Sequence, residues 1–292
     1  MAKKPTTAKL DLSAVWARGI VLLRENFGLI AVLAGVFVLL PNALLQFTLP
    51  PDSELEGPFN VMLDMSASEA NRTLAAQALA ELLAPFMGSA FAVIIISHVA
   101  YCATAAFIGP DRPTIGEAIG EAMKAILPLT AAIVIYFVLL YLIFLVLQIL
   151  TAFLGVAGAI IALFGGTFLA LYLTARLALT LPAIVIEKVY NPAKALLRSW
   201  ILTSGRGAGV FAFWSTLAVT WLVTLIIQSL VSMLLAGIAG PGSTASLIEG
   251  LLSGLFSAFW GSLYCVMGVA MFLRLTGAEA GSPTPLPDTD TE

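Results

Sequence analysis

The chain has 292 residues, of which 60% are apolar and only 11% charged, with 14 basic against 17 acidic side chains and a formal net charge of -3. A soluble domain averages roughly 45–50% apolar and about 25% charged residues, and the polar side chains here cannot cover a water-facing surface of this size. The totals exclude an ordinary soluble domain and predict an integral membrane protein, and no basic stripe interleaved with aromatics speaks for nucleic acid.

Residues 1–10, with Lys3, Lys4 and Lys9, are read as a disordered N-terminus. Asp11, Arg18 and Arg24 interrupt the chain before any long apolar run, so no secretory signal is expected and the N-terminus should stay attached. Leu12, Val15, Trp16, Gly19, Ile20, Leu23 and Phe27 then follow the spacing of an amphipathic helix, with Arg18 and Arg24 off its apolar side and Asp11 and Ser13 as candidate caps.

A bilayer core takes about 20 apolar helical residues to cross. Six stretches qualify, at approximately 28–49, 85–108, 127–151, 155–180, 208–236 and 247–273, and strands are a poor alternative because a lone strand in lipid leaves its backbone unpaired. Between the first two spans, Asp52, Glu54, Glu56, Asp64, Glu69 and Glu81 are too scattered for a calcium loop and read as a solvated external segment. Within it, Ser66 and Glu69 are spaced as a capping box that starts a helix running into span two through Pro85. Asn71-Arg72-Thr73 there is a glycosylation sequon, relevant only in a eukaryotic host.

Span two holds His98 near its middle, with Tyr101 and Cys102 on the same helical face. Two readings stand for His98: a packing histidine whose ring nitrogens are satisfied, or a proton relay or ligand contact. Tyr101 and the glutamines Gln46, Gln148 and Gln228, which fall toward the outer ends of odd-numbered spans, complete a candidate polar or ligand site; the glutamines alternatively bond between helices. Cys102 and Cys265 lie in apolar runs and read as small hydrophobes.

After span two, Thr114 and Glu117 form a T-x-x-E box before a second amphipathic segment, with Ile115, Ala118, Ile119, Ala122 and Ile126 opposite Glu117, Glu121 and Lys124. Span three contains YFVLLYLIFLVLQIL, bulk suited to lipid. In span four, Gly158, Ala162, Gly166 and Ala170 recur every fourth residue, a stripe that admits another backbone; Gly254 and Gly261 serve likewise in span six. From these we expect the even spans to form a tight centre with the odd ones outside. A third amphipathic segment, opened by Asn191 and Pro192, places Ala193, Leu196, Leu197, Trp200 and Ile201 against Lys194 and Arg198.

Basic residues gather at the N-terminus, after spans two and four and at Arg274, whereas Arg72 stands alone on the other side; both termini are therefore expected in the cytoplasm. The predicted fold class is all-α: a polytopic six-helix bundle over 11–275, made of three hairpins each preceded by a cytoplasmic amphipathic helix, with a disordered acidic tail over 276–292.

Arg176 falls at the cytoplasmic end of span four. Its stem can lie along apolar surface while the guanidinium reaches headgroups, or it can join a structural or lipid-binding ion-pair cluster with Glu187, Lys194 and Arg198. Glu187 lies eleven residues on, about 16 Å along a straight helix, too far to pair with Arg176 directly.

RLALTLPAIVIEK followed by NPAKALLRSWILTSGR resembles the bacterial glycerophosphoryl diester phosphodiesterase membrane-domain family and its six-span relatives. The matching positions are Arg176, Pro182, Glu187, Ala195, Leu196, Ser199, Trp200, Leu202, Thr203 and Gly205. The resemblance implies a bacterial cytoplasmic membrane and a six-span module over roughly residues 10–275. In members that hydrolyse glycerophosphodiesters, catalysis belongs to a separate soluble barrel, whose histidines and metal-binding acids have no counterpart here.

One histidine rules out H-E-x-x-H, and neither a Walker loop nor a G-x-S-x-G elbow is present. No cofactor, metal or catalytic constellation is expected, and nothing fixes an oxyanion hole for a serine paired with His98. The function expected is that of a non-catalytic lipid- or envelope-associated module or scaffold, whose partners are membrane lipids, anionic ones included, and a membrane or cytoplasmic protein. The alternative is a transporter or channel for a small or amphiphilic molecule.

Overall fold

A computed structural model describes residues 11–50, 52–64, 66–239 and 243–277. The expected disordered segments, 1–10 and 276–292 apart from Thr276 and Gly277, lie outside these. All regular structure among the described residues is helical: α1 (Leu12–Glu25), α2 (Phe27–Ala34), a π-helical turn (Gly35–Leu39), α3 (Leu40–Leu45), a 3-10 turn (Gln46–Thr48), α4 (Asp52–Leu63), α5 (Glu69–Ile108), α6 (Ile115–Leu154), α7 (Val156–Leu177), α8 (Thr180–Val185), α9 (Pro192–Thr203), α10 (Gly207–Ala239) and α11 (Ser243–Thr276). Six stretches are long and apolar enough to cross a membrane: Phe27–Thr48, Glu69–Ile108, Ile115–Leu154, Val156–Val185, Gly207–Leu235 and Ser246–Thr276. The chain is thus of multi-pass membrane type.

Helix starts follow side-chain chemistry. Asp11 accepts from the Ala14 N–H and the Ser13 hydroxyl, and these bonds, Ser13 foremost, hold its carboxyl below the usual range. Thr114 and Glu117 form a reciprocal capping box at α6. The cap of α5 departs from expectation: the Ser66 hydroxyl is engaged by the Asp64 carboxylate at 2.6 Å, and Ser68 accepts the Asn71 N–H instead. The second amphipathic segment is not a separate helix, since no turn breaks the chain before Pro128 and residues 115–154 run as one element. The segment expected outside the membrane also contains α4, which its scattered acids did not announce.

The chain divides into two compact units. One comprises the described residues of Met1–Ile30, Tyr101–Val223 and Ser262–Glu292. Its core takes Val15 and Leu22 from α1, Phe213 and Leu217 from α10, and Val266, Met267, Met271 and Phe272 from α11. Trp214 stacks on Tyr264 at 5.6 Å with the rings 4° from parallel, an arrangement that buries large area at one contact. In the same unit α6 and α7 turn back on each other at Gly155, whose φ of +57° and ψ of -130° a side chain would strain.

The small-residue stripe of α7 faces this neighbour. A Cβ on Gly158 would stand 2.6 Å from the Leu150 carbonyl oxygen, and one on Gly166 2.6 Å from Leu147 Cδ1. Tyr136 donates to Thr174 at 2.6 Å further along, Thr174 itself donating to the Ala170 carbonyl, and Ala162 and Ala170 are half-buried on the same stripe. Along this stretch span four therefore meets span three, and at its end the Ala178 carbonyl comes within 3.8 Å of where a Cβ on Gly268 of span six would stand. A small-residue stripe accepts whichever backbone the chain delivers, and the short turn at Gly155 delivers α6.

The other unit comprises Ala31–Ala100 and Thr224–Gly261. Here α11 approaches the π-helical turn and α3: a Cβ on Gly254 would lie 2.5 Å from the Leu39 carbonyl oxygen, and one on Gly250 2.5 Å from that of Ala43. Again the stripe of an even-numbered span receives an odd-numbered one. Gly261 is half-buried at the end of this stretch.

Gly254→Ala forces this contact apart and should cost about 1–3 kcal/mol. Its thermal unfolding midpoint in detergent is expected below that of wild type. Gly165→Ala, with nothing within 4 Å, should leave the midpoint unchanged, and equal midpoints for the two variants would refute the packing.

Candidate functional site

The residues singled out around Arg176 come together where α7 ends. α7 stops at Leu177 because Pro182 offers no N–H to the carbonyl four residues back and its ring crowds that position. The chain turns at Ala178–Leu179 and resumes as α8, with Thr180, Pro182, Ala183, Ile184 and Val185 all buried. An interrupted helix in a dry setting leaves backbone groups to be paired.

The Ser199 hydroxyl supplies two of the partners. It donates to the Arg176 carbonyl at 2.8 Å and accepts the Leu179 N–H at 3.1 Å, bridging the break. Thr203 donates to the Ser199 carbonyl at 2.9 Å, with the Arg176 carbonyl 3.4 Å away. Ala195, Ser199 and Thr203, four apart on α9, are each completely buried, and their small size lets α9 lie close against the end of α7.

The apolar Leu197 and Ile201 are exposed, at 57% and 53%, and the buried ridge is the alanine, serine and threonine. In a membrane the surroundings are themselves apolar, so the side facing the protein is the one that is small and hydrogen-bonding.

Arg176 is only 5% exposed. Its guanidinium lies 4.3 Å from the Trp200 ring and 6.0 Å from that of Tyr172, and the two rings meet edge-on. Nη2 donates to the Ser204 hydroxyl at 3.1 Å, and Ser204 in turn donates to the Trp200 carbonyl. Nε is buried with no partner, and no carboxylate pairs with Arg176 among the described residues. Its place in the last turn of α7 suits the negative end of the helix dipole.

Glu187 instead meets Arg198 in a two-pronged pair, with Nε at 2.7 Å and Nη2 at 2.6 Å from its oxygens. This hydrogen-bonded carboxylate holds the Arg198 guanidinium above its ordinary pKa. Lys194 is exposed and forms no ion pair among the described residues.

A second polar group adjoins the start of α6. Tyr190 donates to Glu121 at 2.8 Å, and Lys124 pairs with the other oxygen at 2.9 Å. Burial, then the bond to Glu121, pushes the Tyr190 hydroxyl up to about 12. A cleft of about 310 Å³ is bordered here by Asp111, Glu117, Glu121, Ile186 and Lys188. Its acids are already engaged: Glu117 by its cap, Glu121 by Lys124 and Tyr190, and Asp111 loosely by Lys188 at 3.7 Å. No group of three His, Cys, Asp or Glu among the described residues could hold a metal ion.

His98 Nδ1 lies 2.6 Å from the Ile94 carbonyl of its own helix, α5, which also carries Tyr101. Gln46, Gln148 and Gln228 make no side-chain hydrogen bond to another described residue, so the expected interhelical bonding is not seen. Gln148 is exposed on α6, and Gln228 Oε1 is buried without a partner. Ser199, Thr203 and Ser204 were not singled out as site residues; the available signal was two hydroxyls and an alanine recurring every fourth residue.

No family model, curated protein or solved structure matches the chain.

Ser199→Ala leaves the Leu179 N–H unpaired in a buried place and the Arg176 carbonyl with only the longer bond from Thr203, and a loss of about 1–3 kcal/mol is expected in reversible unfolding in detergent. Glu187 and Arg198 are partly exposed, so their double-mutant cycle should give a coupling of about 1 kcal/mol or less, diminishing in salt. A salt-insensitive coupling would contradict the geometry.

Proposed function

We propose that the protein is a non-catalytic, lipid-associated module of a bacterial cytoplasmic membrane, built as three transmembrane hairpins with both termini on the cytoplasmic side. It holds a membrane or cytoplasmic partner in place. The observation that carries this reading is the attitude of α9, which buries Ala195, Ser199 and Thr203 and turns Leu197 and Ile201 outward beside Lys194. A helix with an exposed apolar strip and flanking cations suits the plane of the headgroups. α1 supports the same role, with Ile20 and Val21 exposed on it and Phe27 just beyond.

Arg112, Lys124, Lys188, Lys194, Arg198, Arg206 and Arg274 then all face the cytoplasm, consistent with retention of basic loops on that side. The motif from Arg176 to Gly205 supports membership of the glycerophosphoryl diester phosphodiesterase membrane-domain group without its catalytic barrel. The hydroxyls nearest Arg176 are engaged: Ser199 and Thr203 with backbone groups, Ser204 with the Trp200 carbonyl and Arg176 itself. This is a binding and positioning arrangement.

A second reading, transport of a small or amphiphilic molecule, draws on Gln228 Oε1 and Ser232 Oγ, buried four residues apart on α10 with no partner. Flux into proteoliposomes that Gln228→Leu abolishes would favour it.

Full-length protein taken from its membrane in native nanodiscs is expected to carry either anionic lipid enriched over the bulk or one recurring partner, with no release of glycerol phosphate from glycerophosphodiesters. Bulk lipid composition and no recurring partner would overturn the lipid-associated reading.

A further inference from the structure

Arg176 is a buried cation whose donors are only partly used. A guanidinium offers five N–H groups. Nη2 reaches Ser204, Nε reaches nothing, and Nη1 lies 3.7 Å from where a Cβ on Gly207 would stand. The glycine leaves that nitrogen uncovered at the opening of α10.

α10 runs for 33 residues, and the N–H groups of Gly207, Ala208 and Gly209 in its first turn have no partner within the helix. The Val210 N–H already returns to the Arg206 carbonyl at 3.1 Å. Gly205, at φ +77°, lets the chain leave α9 and enter α10 within three residues, 204–206, bringing the start of one helix beside the buried arginine. Arg206 sits in that turn and forms no ion pair among the described residues. Glu187, the acid of this region, is committed to Arg198. Arg176 Nη1 and the positive end of a long helix thus meet here, one residue after Arg206, with neither arginine paired to a carboxylate among the described residues.

The geometry points to a binding site for one phosphate group at the start of α10, held by Arg176 Nη1 and the first-turn N–H groups, with Arg206 as the outer cation. Several oxygens on one anionic centre match donors that converge from a fork and a helix end. α7 ends and α10 begins here, so the site lies at the level where two apolar spans give way to headgroups, and a lipid phosphodiester fits that depth. The depth rests on the lipid-associated reading; the donor set does not. Free phosphate shares the chemistry and is the other source.

The test uses the full chain, delipidated in a sugar detergent and then titrated separately with phosphatidylglycerol, a phosphorus-free galactolipid and inorganic phosphate, read by native mass spectrometry and unfolding midpoint. Arg206→Gln removes the outer cation without touching the core. Gly207→Pro removes a donor and covers Nη1 at a helix position that proline suits. One phosphatidylglycerol per chain is expected, weakened about tenfold or more in each variant, with galactolipid binding unaltered. A wild-type midpoint raised by inorganic phosphate alone, and not in Gly207→Pro, supports the same site with a free anion as occupant. Phosphatidylglycerol held equally by wild type and both variants, with phosphate inert, overturns the site and leaves Arg176 as a structural cation. Anionic lipid enrichment that survives in the variants would sink this site alone and leave the lipid-associated reading standing.

Discussion

A helix that stops inside an apolar setting must find partners for its last carbonyls and for the N–H groups of whatever follows, because neither lipid nor packed side chains will hydrogen-bond them. At the end of α7 that requirement is met by hydroxyls: Thr180 donates to the Leu177 carbonyl, and Ser199 touches both sides of the break. Much else in the region follows from placing the Ser199 hydroxyl. α9 must come close enough to deliver it, so its facing ridge is limited to Ala195, Ser199 and Thr203. Trp200 and Ser204, beside that ridge, are then brought against the Arg176 side chain.

The two arginines near this joint solve the problem of a membrane-edge cation differently. Arg198 is partly exposed and takes a carboxylate, and the pair is neutral as a whole. Arg176 is almost wholly buried and takes none; a helix C-terminus, an indole face and a hydroxyl stand in for the missing charge. Dipoles and π faces stabilise a cation without discharging it. A guanidinium held in this way keeps its capacity to attract an anion, whereas Arg198 has spent that capacity on Glu187.

Six spans and the helix caps at Asp11, Thr114 and Asn191 were legible in the sequence, since each depends on residue type over a few neighbouring positions. Ser66 misled because Asp64, two residues earlier, competes for its hydroxyl, and spacing alone cannot register that competition. The packed side of α9 was not legible from hydrophobic periodicity, for a deeper reason. Hydrophobic periodicity finds the protein-facing side of a helix only where the opposite side meets water. Beside lipid the contrast vanishes, and smallness with hydroxyl content becomes the guide, which singles out Ser199 and Thr203 over Leu197 and Ile201.

The glycine stripes show the same limit from another direction. Their spacing announces that a backbone comes near, and Gly158 and Gly254 do receive one. Identity of the neighbour is a matter of connection and cannot be read from the stripe, since a missing Cβ has no preference among partners. Gly155 decides it for α7 by folding the chain straight back, so that the residues just before the turn, Leu150 and Thr151, are the ones that reach Gly158. Close approach of this kind fixes helix spacing through sterics, whereas the hydroxyl bridge at Ser199 fixes register as well, because a hydrogen bond tolerates a displacement of only a few tenths of an ångström. The arginine motif therefore lies where the α7–α9 joint is held most exactingly, and positional tolerance rises along α7 toward Gly158, where shape alone does the holding.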